Sequence, residues 1–111
     1  PEKCIGCGTC TQSCPYSAPK VDTEAMKSVK CNMCAERVAE GKQPICVEAC
    51  PLRALDFGDI EELRAAYGTD AEIAPLPAAS ESQPNLVITA PVDAKPAGDS
   101  TGAVMNELEI L

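Results

Sequence analysis

Residues 4–15 read Cys4-Ile-Gly-Cys7-Gly-Thr-Cys10-Thr-Gln-Ser-Cys14-Pro15, and a second run, Cys31-x2-Cys34-x11-Cys46-x3-Cys50-Pro51, follows downstream. The two runs are related. Cys10, Cys14, Pro15 and Ala18 recur 36 residues later as Cys46, Cys50, Pro51 and Ala54. Lys3, Cys4 and Cys7 recur 27 residues later as Lys30, Cys31 and Cys34. The difference is a nine-residue insertion, Ala35 to Ile45 standing where Gly8-Thr9 stands in the first run. This is an internal duplication with one enlarged loop. The insertion predicts a helical turn over Ala35 to Glu40, stopped by Gly41 and Pro44.

The spacing has a chemical reason. A cubane cluster needs four thiolates converging on its corners. Three closely spaced Cys wrap one loop around three irons, and a fourth, held in a separate turn before Pro, ligates a neighbouring cluster. Pro fixes φ and removes a backbone donor, which turns the chain out of the ligand loop. Gly6 and Gly8 are expected to let backbone approach the cluster. Ile5, Met33, Ile45 and Val47 suit either water exclusion at the cluster or ordinary packing. Lys3 and Lys30, each just before the first Cys of a run, suit either cluster tuning or plain solvation.

Three other cysteine chemistries compete. The second run alone, two Cys pairs separated by eleven residues, resembles a Cys4 zinc site. The first run is the bacterial ferredoxin spacing, which points the pair toward iron–sulfur clusters. A disulfide framework rarely repeats a tight run ending in Cys-Pro. A redox dithiol would call for a thioredoxin-like βαβ pattern, which is absent. The expected ligands are therefore Cys4, Cys7, Cys10, Cys14, Cys31, Cys34, Cys46 and Cys50, holding two 4Fe-4S clusters.

Composition narrows the rest. The 111 residues contain eight Cys, no His, no Trp, one Phe and two Tyr. Without His there is no Ser-His-Asp or Cys-His catalysis and no His-bearing zinc site. The net charge of −8 argues against nucleic acid. No apolar run is long enough to span a membrane, and no basic-then-apolar leader is present. The chain opens at Pro1 without Met, which reads as a fragment or a processed chain.

All eight Cys lie in residues 1–58, where seven acids balance seven bases. Residues 59–111 carry ten acids against Arg64 and Lys95. The expected domains are thus a cysteine module, 1–58, and an acidic C-terminal part, 59–111. The second part should begin with a helix. Asp59 and Glu62 suit a capping box, Ile60, Leu63 and Tyr67 form an apolar stripe, and Gly68 is a stop. From Ala74 to Gly102 the chain is rich in Pro, Ala, Ser and Gly, and only Leu86-Val-Ile-Thr89 reads as a short strand. Composition alone favours disorder there.

These residues resemble a known family, the iron–sulfur electron-transfer subunits of complex molybdoenzymes. More narrowly, they resemble the electron-transfer subunit of the anaerobic dimethyl sulfoxide reductases. The likeness is carried by Cys4-Ile-Gly-Cys7, Cys14-Pro-Tyr-Ser-Ala-Pro19, Arg37-Val-Ala-Glu-Gly-Lys42 and the segment from Pro44 to Gly58. Glu62-Leu-Arg64, Ala74-Pro-Leu-Pro77, Pro84-Asn-Leu-Val-Ile88 and Gly98-Asp-Ser-Thr-Gly102 extend it along the tail.

The resemblance implies an α+β, bacterial ferredoxin-like module with a C-terminal helix and an extended arm lying on a partner. It implies four cysteine groups and four clusters in the full-length family, this chain holding the third and fourth groups. Groups would pair first with fourth and second with third, so Cys14 and Cys50 would complete clusters of the two upstream groups. Taken alone, the chain could cross-pair Cys4, Cys7 and Cys10 with Cys50, and Cys31, Cys34 and Cys46 with Cys14. The implied role is non-catalytic. It carries electrons from a quinol-oxidising membrane anchor subunit to a molybdopterin catalytic subunit, on the periplasmic face of the cytoplasmic membrane. A related formate dehydrogenase or polysulfide reductase is the nearest alternative, and a structural zinc-binding module is the alternative from another class.

Overall fold

The computed structural model describes residues 2–103, 105 and 106. Two compact units meet at one peptide bond, Pro1–Asp59 and Ile60–Leu111. Residues 104 and 107–111, the end of the expected arm, lie outside the described residues.

The first unit is built from short pieces. Helix α1 (Thr9–Ser13) is followed by strands β1 (Lys20–Asp22) and β2 (Lys27–Val29), then helices α2 (Ala35–Ala39) and α3 (Ile45–Ala49). The strands form an antiparallel hairpin with Lys20 opposite Val29, Val21 opposite Ser28 and Asp22 opposite Lys27. Its turn is set by Asp22, whose Oδ1 accepts the N–H groups of Glu24 and Ala25, each at 3.0 Å.

The duplication seen in the cysteines is also a duplication of backbone. Helices α1 and α3 are each five residues long and occupy equivalent places in the two copies. Cys14 and Cys50 follow them in extended conformation, with ψ of 117° and 110°. Each then opens a Cys-Pro turn closed by a backbone bond, Ser17 N–H to Cys14 O at 3.0 Å and Arg53 N–H to Cys50 O at 3.2 Å. Ser17 and Arg53 both take the left-handed conformation, φ 52°. In the other matched pair, Gly6 (φ 70°) and Met33 (φ 56°) do the same.

Helix α2 occupies the predicted insertion and ends where Gly41 turns the chain, its N–H bonding Val38 O at 3.0 Å. Arg37 then straps the loop to α3. Its Nε donates to Gln43 O at 3.2 Å and its guanidinium pairs with Glu48 at 2.5 Å.

Gly6 has a further purpose besides bringing its backbone to the ligand loop. A Cβ there would stand 2.7 Å from the carbonyl oxygen of Met26, so glycine lets the N-terminal segment lie on the hairpin turn. Lys27 reinforces this contact, its Nζ donating to Cys4 O at 3.0 Å and Glu2 O at 3.3 Å. Gly6→Ala is expected to destabilise the unit by about 2 kcal/mol, from left-handed strain and the clash together. Denaturant unfolding of the iron-loaded variant checks this; an unchanged midpoint would mean that the segment is not seated on the hairpin.

In the second unit, α4 (Ile60–Tyr67) begins directly after Asp59 and ends at Gly68, φ 96°, whose N–H bonds Arg64 O at 3.0 Å. Ile60 and Leu63 of the predicted stripe are half-buried, whereas Tyr67 is exposed. A four-residue helix, α5 (Ala79–Ser82), opens with Ala79 N–H on Glu72 Oε2 at 2.5 Å. The strand expected over Leu86–Thr89 does not form. Its backbone has no ladder partner; Ile88 N–H instead bonds Asp70 O at 2.7 Å. A strand needs a neighbour to accept its bonds, and this one has a loop.

Among the described residues no apolar side chain is buried in a core, and Pro44, ahead of α3, is the only buried residue. No described helix is long and apolar enough to cross a membrane.

Candidate metal centre

All eight cysteines are free thiols, so the disulfide reading is not realised. Cys4, Cys14, Cys34 and Cys50 are half-buried; Cys7, Cys10, Cys31 and Cys46 are exposed.

In the second run, Cys31, Cys34 and Cys46 line one hollow of about 150 Å³. Its other walls are Met33, Pro44, Val47, Leu55, Asp56 and Phe57. Cys50 is not among them. Instead it stands in the turn after α3, where Ala54 N–H donates to its Sγ at 3.4 Å. The duplication supplies the logic: α3 carries Cys46 toward the hollow, and the extended residue ending α3 takes Cys50 elsewhere. Of the apolar residues expected near the ligands, Met33 and Val47 line the hollow. Ile45 and Ile5 do not, and they are 58% and 77% exposed, so neither packs in a core.

In the first run, two thiols are gathered by one residue of the hairpin. Ser28 N–H donates to Cys4 Sγ at 3.1 Å, and Ser28 Oγ lies 3.1 Å from Cys10 Sγ. Gly6 N–H reaches Cys4 Sγ at 3.5 Å, and the matched Met33 N–H reaches Cys31 Sγ at 3.4 Å. Cys7 Sγ meets Thr9 Oγ1 at 3.4 Å. Beside Cys10, the hydroxyl of Thr11 is buried without a hydrogen-bond partner.

These donors favour thiolate. The Ser28 and Gly6 N–H groups, helped by the charge of Lys27, hold the Cys4 thiol below its usual range. Thr9 does the same for Cys7, first through its hydroxyl and then its N–H. For Cys14 the largest effect is the Ala18 N–H, with Tyr16, Ser17 and the Lys30 charge adding to it. For Cys50 it is the Ala54 N–H. Lys30 therefore acts on Cys14, in the other run, and Lys27 is a cation the cysteine pattern does not single out. Ala18 and Ala54 are visible in sequence only as repeat markers; their backbone N–H groups are what the repeat preserves.

The donor set fits iron–sulfur clusters. Thiolates with N–H donors and apolar walls are what a cluster sulfur environment requires. Among the described residues no group of three His, Cys, Asp or Glu side chains is placed to hold a single metal ion.

Residues 1–60 match the 4Fe-4S dicluster domain family. The chain belongs to that family. As a dicluster domain it is a 4Fe-4S protein, and the fold is the ferredoxin-like, α+β arrangement of small helices and a two-stranded sheet.

Its relatives reach beyond the domain. YnfG of Escherichia coli strain K12, a probable anaerobic dimethyl sulfoxide reductase component, is 54% identical over 107 residues, 96% of this chain and 52% of the relative. The corresponding anaerobic dimethyl sulfoxide reductase component of Haemophilus influenzae is 50% identical over 98% of this chain and 53% of its own length. The formate dehydrogenase iron-sulfur subunit of Haemophilus influenzae is 43% identical, but over only 57% of this chain and 20% of its own. The chain thus spans about half the length of the dimethyl sulfoxide reductase components it matches.

Proposed function

We propose that residues 1–58 are an electron-transfer module in which Cys4, Cys7, Cys10, Cys14, Cys31, Cys34, Cys46 and Cys50 ligate 4Fe-4S clusters. The observation carrying this reading is the division of the second run. Cys31, Cys34 and Cys46 line one apolar hollow, and Cys50 stands outside that lining in the Cys-Pro turn. That is the three-plus-one sharing which two-cluster ligation demands.

The protein to which this chain belongs serves an anaerobic reductase, most specifically one acting on dimethyl sulfoxide. Likeness along 59–111 supports this choice over formate dehydrogenase, whose subunit matches only about the cysteine half. Its partners are a quinol-oxidising membrane anchor and a molybdopterin catalytic subunit. It sits with them on the periplasmic face of the cytoplasmic membrane, and residues 59–111 form an arm on a partner.

The chain itself makes and breaks no substrate bonds. A bound 4Fe-4S cluster supplies one-electron chemistry. The protein's residues do the rest. The eight thiolates hold the group, and Ser28, Gly6, Ala18 and Ala54 present N–H dipoles to ligand sulfur. Met33, Val47, Leu55 and Phe57 give the second hollow apolar walls, and there the Met33 N–H reaches Cys31 Sγ.

Metal and acid-labile sulfide analysis of anaerobically prepared chain, with EPR after dithionite reduction, tests the reading. Iron and sulfide in equal amounts with a reduced-cubane signal is the expected result. Zinc without sulfide would replace it with the structural module.

A further inference from the structure

Ser28 is absent from the cysteine code, yet it touches two ligand positions of the first run. Its backbone N–H reaches Cys4 Sγ and its hydroxyl reaches Cys10 Sγ, both at 3.1 Å. Cys10 lies 18 residues away in sequence, on α1, while Ser28 sits on β2 opposite Val21. The hairpin therefore sets this contact; it is not a by-product of local chain geometry, as the Thr9 contact to Cys7 is.

The two bonds differ in kind. Any residue except Pro supplies the N–H at position 28. The hydroxyl comes from the serine side chain. A ligating Cys is a thiolate with no proton to give. The direction of the second bond is then fixed, with Ser28 O–H donating and Cys10 Sγ accepting. A donor aimed at a ligand sulfur stabilises the more negative, reduced state more than the oxidised one.

We propose that Ser28 is a positioning residue whose hydroxyl holds Cys10 Sγ and raises the reduction potential of the cluster bound by Cys4, Cys7 and Cys10. The proposal rests on the iron–sulfur reading above. The step involved is uptake of one electron from an external reductant. No bond is made or broken at Ser28, and its proton stays on oxygen.

The test compares Ser28→Thr, Ser28→Val and Ser28→Ala in the full iron-loaded chain by EPR-monitored redox titration. Thr and Val share a shape that suits a strand and differ in the hydroxyl. Val and Ala are expected to lower the reduced-to-oxidised ratio of one cluster about tenfold at fixed potential, a shift of about 59 mV for one electron. The other cluster keeps its potential, and Thr titrates like the parent. Equal midpoints in all four proteins, with full iron and sulfide, would overturn the proposal. So would a Thr variant that shifts as far as Val, since shape and not the hydroxyl would then be responsible. Loss of iron from Val and Ala but not Thr would overturn the tuning role and leave only the holding one. A parent chain with zinc, or without sulfide, fails the underlying reading before any substitution is made.

Discussion

Removing iron from the loaded chain is expected to unfold the Pro1–Asp59 unit. Apart from Pro44, no described apolar residue is buried there. Its three helices are five residues each, far below the roughly 12–15 at which isolated helices become even marginal in water. Its sheet is one hairpin of three-residue strands, also marginal by itself. What remains to hold the unit is ligation. Structural zinc sites, the best-measured analogue, contribute about 10–16 kcal/mol. Whole domains are stable by only about 5–15 kcal/mol. Amide exchange before and after anaerobic chelation measures the effect. Amides of α1, β2 and α3 should lose all protection. Protection that survives chelation would mean that the polypeptide carries its own fold.

Replacing Cys46 by Ser should remove or convert one cluster and spare the other. Cys46 shares its hollow with Cys31 and Cys34, and a serine alkoxide is a poor substitute for a soft thiolate. Cys50→Ser is the informative companion. Cys50 stands outside that hollow, with Ala54 N–H on its sulfur. Its loss should therefore leave the signal of the Cys31–Cys34–Cys46 site in place. EPR and iron counting read both variants. If Cys50→Ser abolished the same signal as Cys46→Ser, all four thiols of the second run would serve one cluster, and the three-plus-one assignment would be wrong.

The parts of the structure legible in sequence are those in which chemistry or a repeat constrains spacing. The eight Cys and the Cys-Pro turns stand out because ligand spacing is dictated by the group they hold. The turn at Ala35–Ala39 and the helix at Ile60–Tyr67 carry stops at Gly41 and Gly68 that a reader can see. The hairpin is not legible, because Lys20–Asp22 and Lys27–Val29 are too short to show alternation. Ser28 is invisible for the same reason: its importance depends on the register that places it. Helix α5 hides in a Pro, Ala and Ser stretch whose composition reads as disorder. Leu86–Thr89 has the side chains of a strand and lacks the partner, which composition cannot reveal. Gly6 is only partly legible: a glycine in a ligand loop suggests the N–H it gives to Cys4 Sγ, but not its close approach to the Met26 carbonyl.

The strap that Arg37 makes across the enlarged loop bears on how such modules diverge. One copy of the duplicated frame passes from its second Cys to its third through Gly8-Thr9, and the other takes a nine-residue detour. Yet α1 and α3, and the turns behind them, keep the same form. Arg37 closes the detour through Gln43 and ties it to the frame through Glu48 of α3. Ancestry could thus lengthen one arm of a symmetric gene product without disturbing its inorganic cargo.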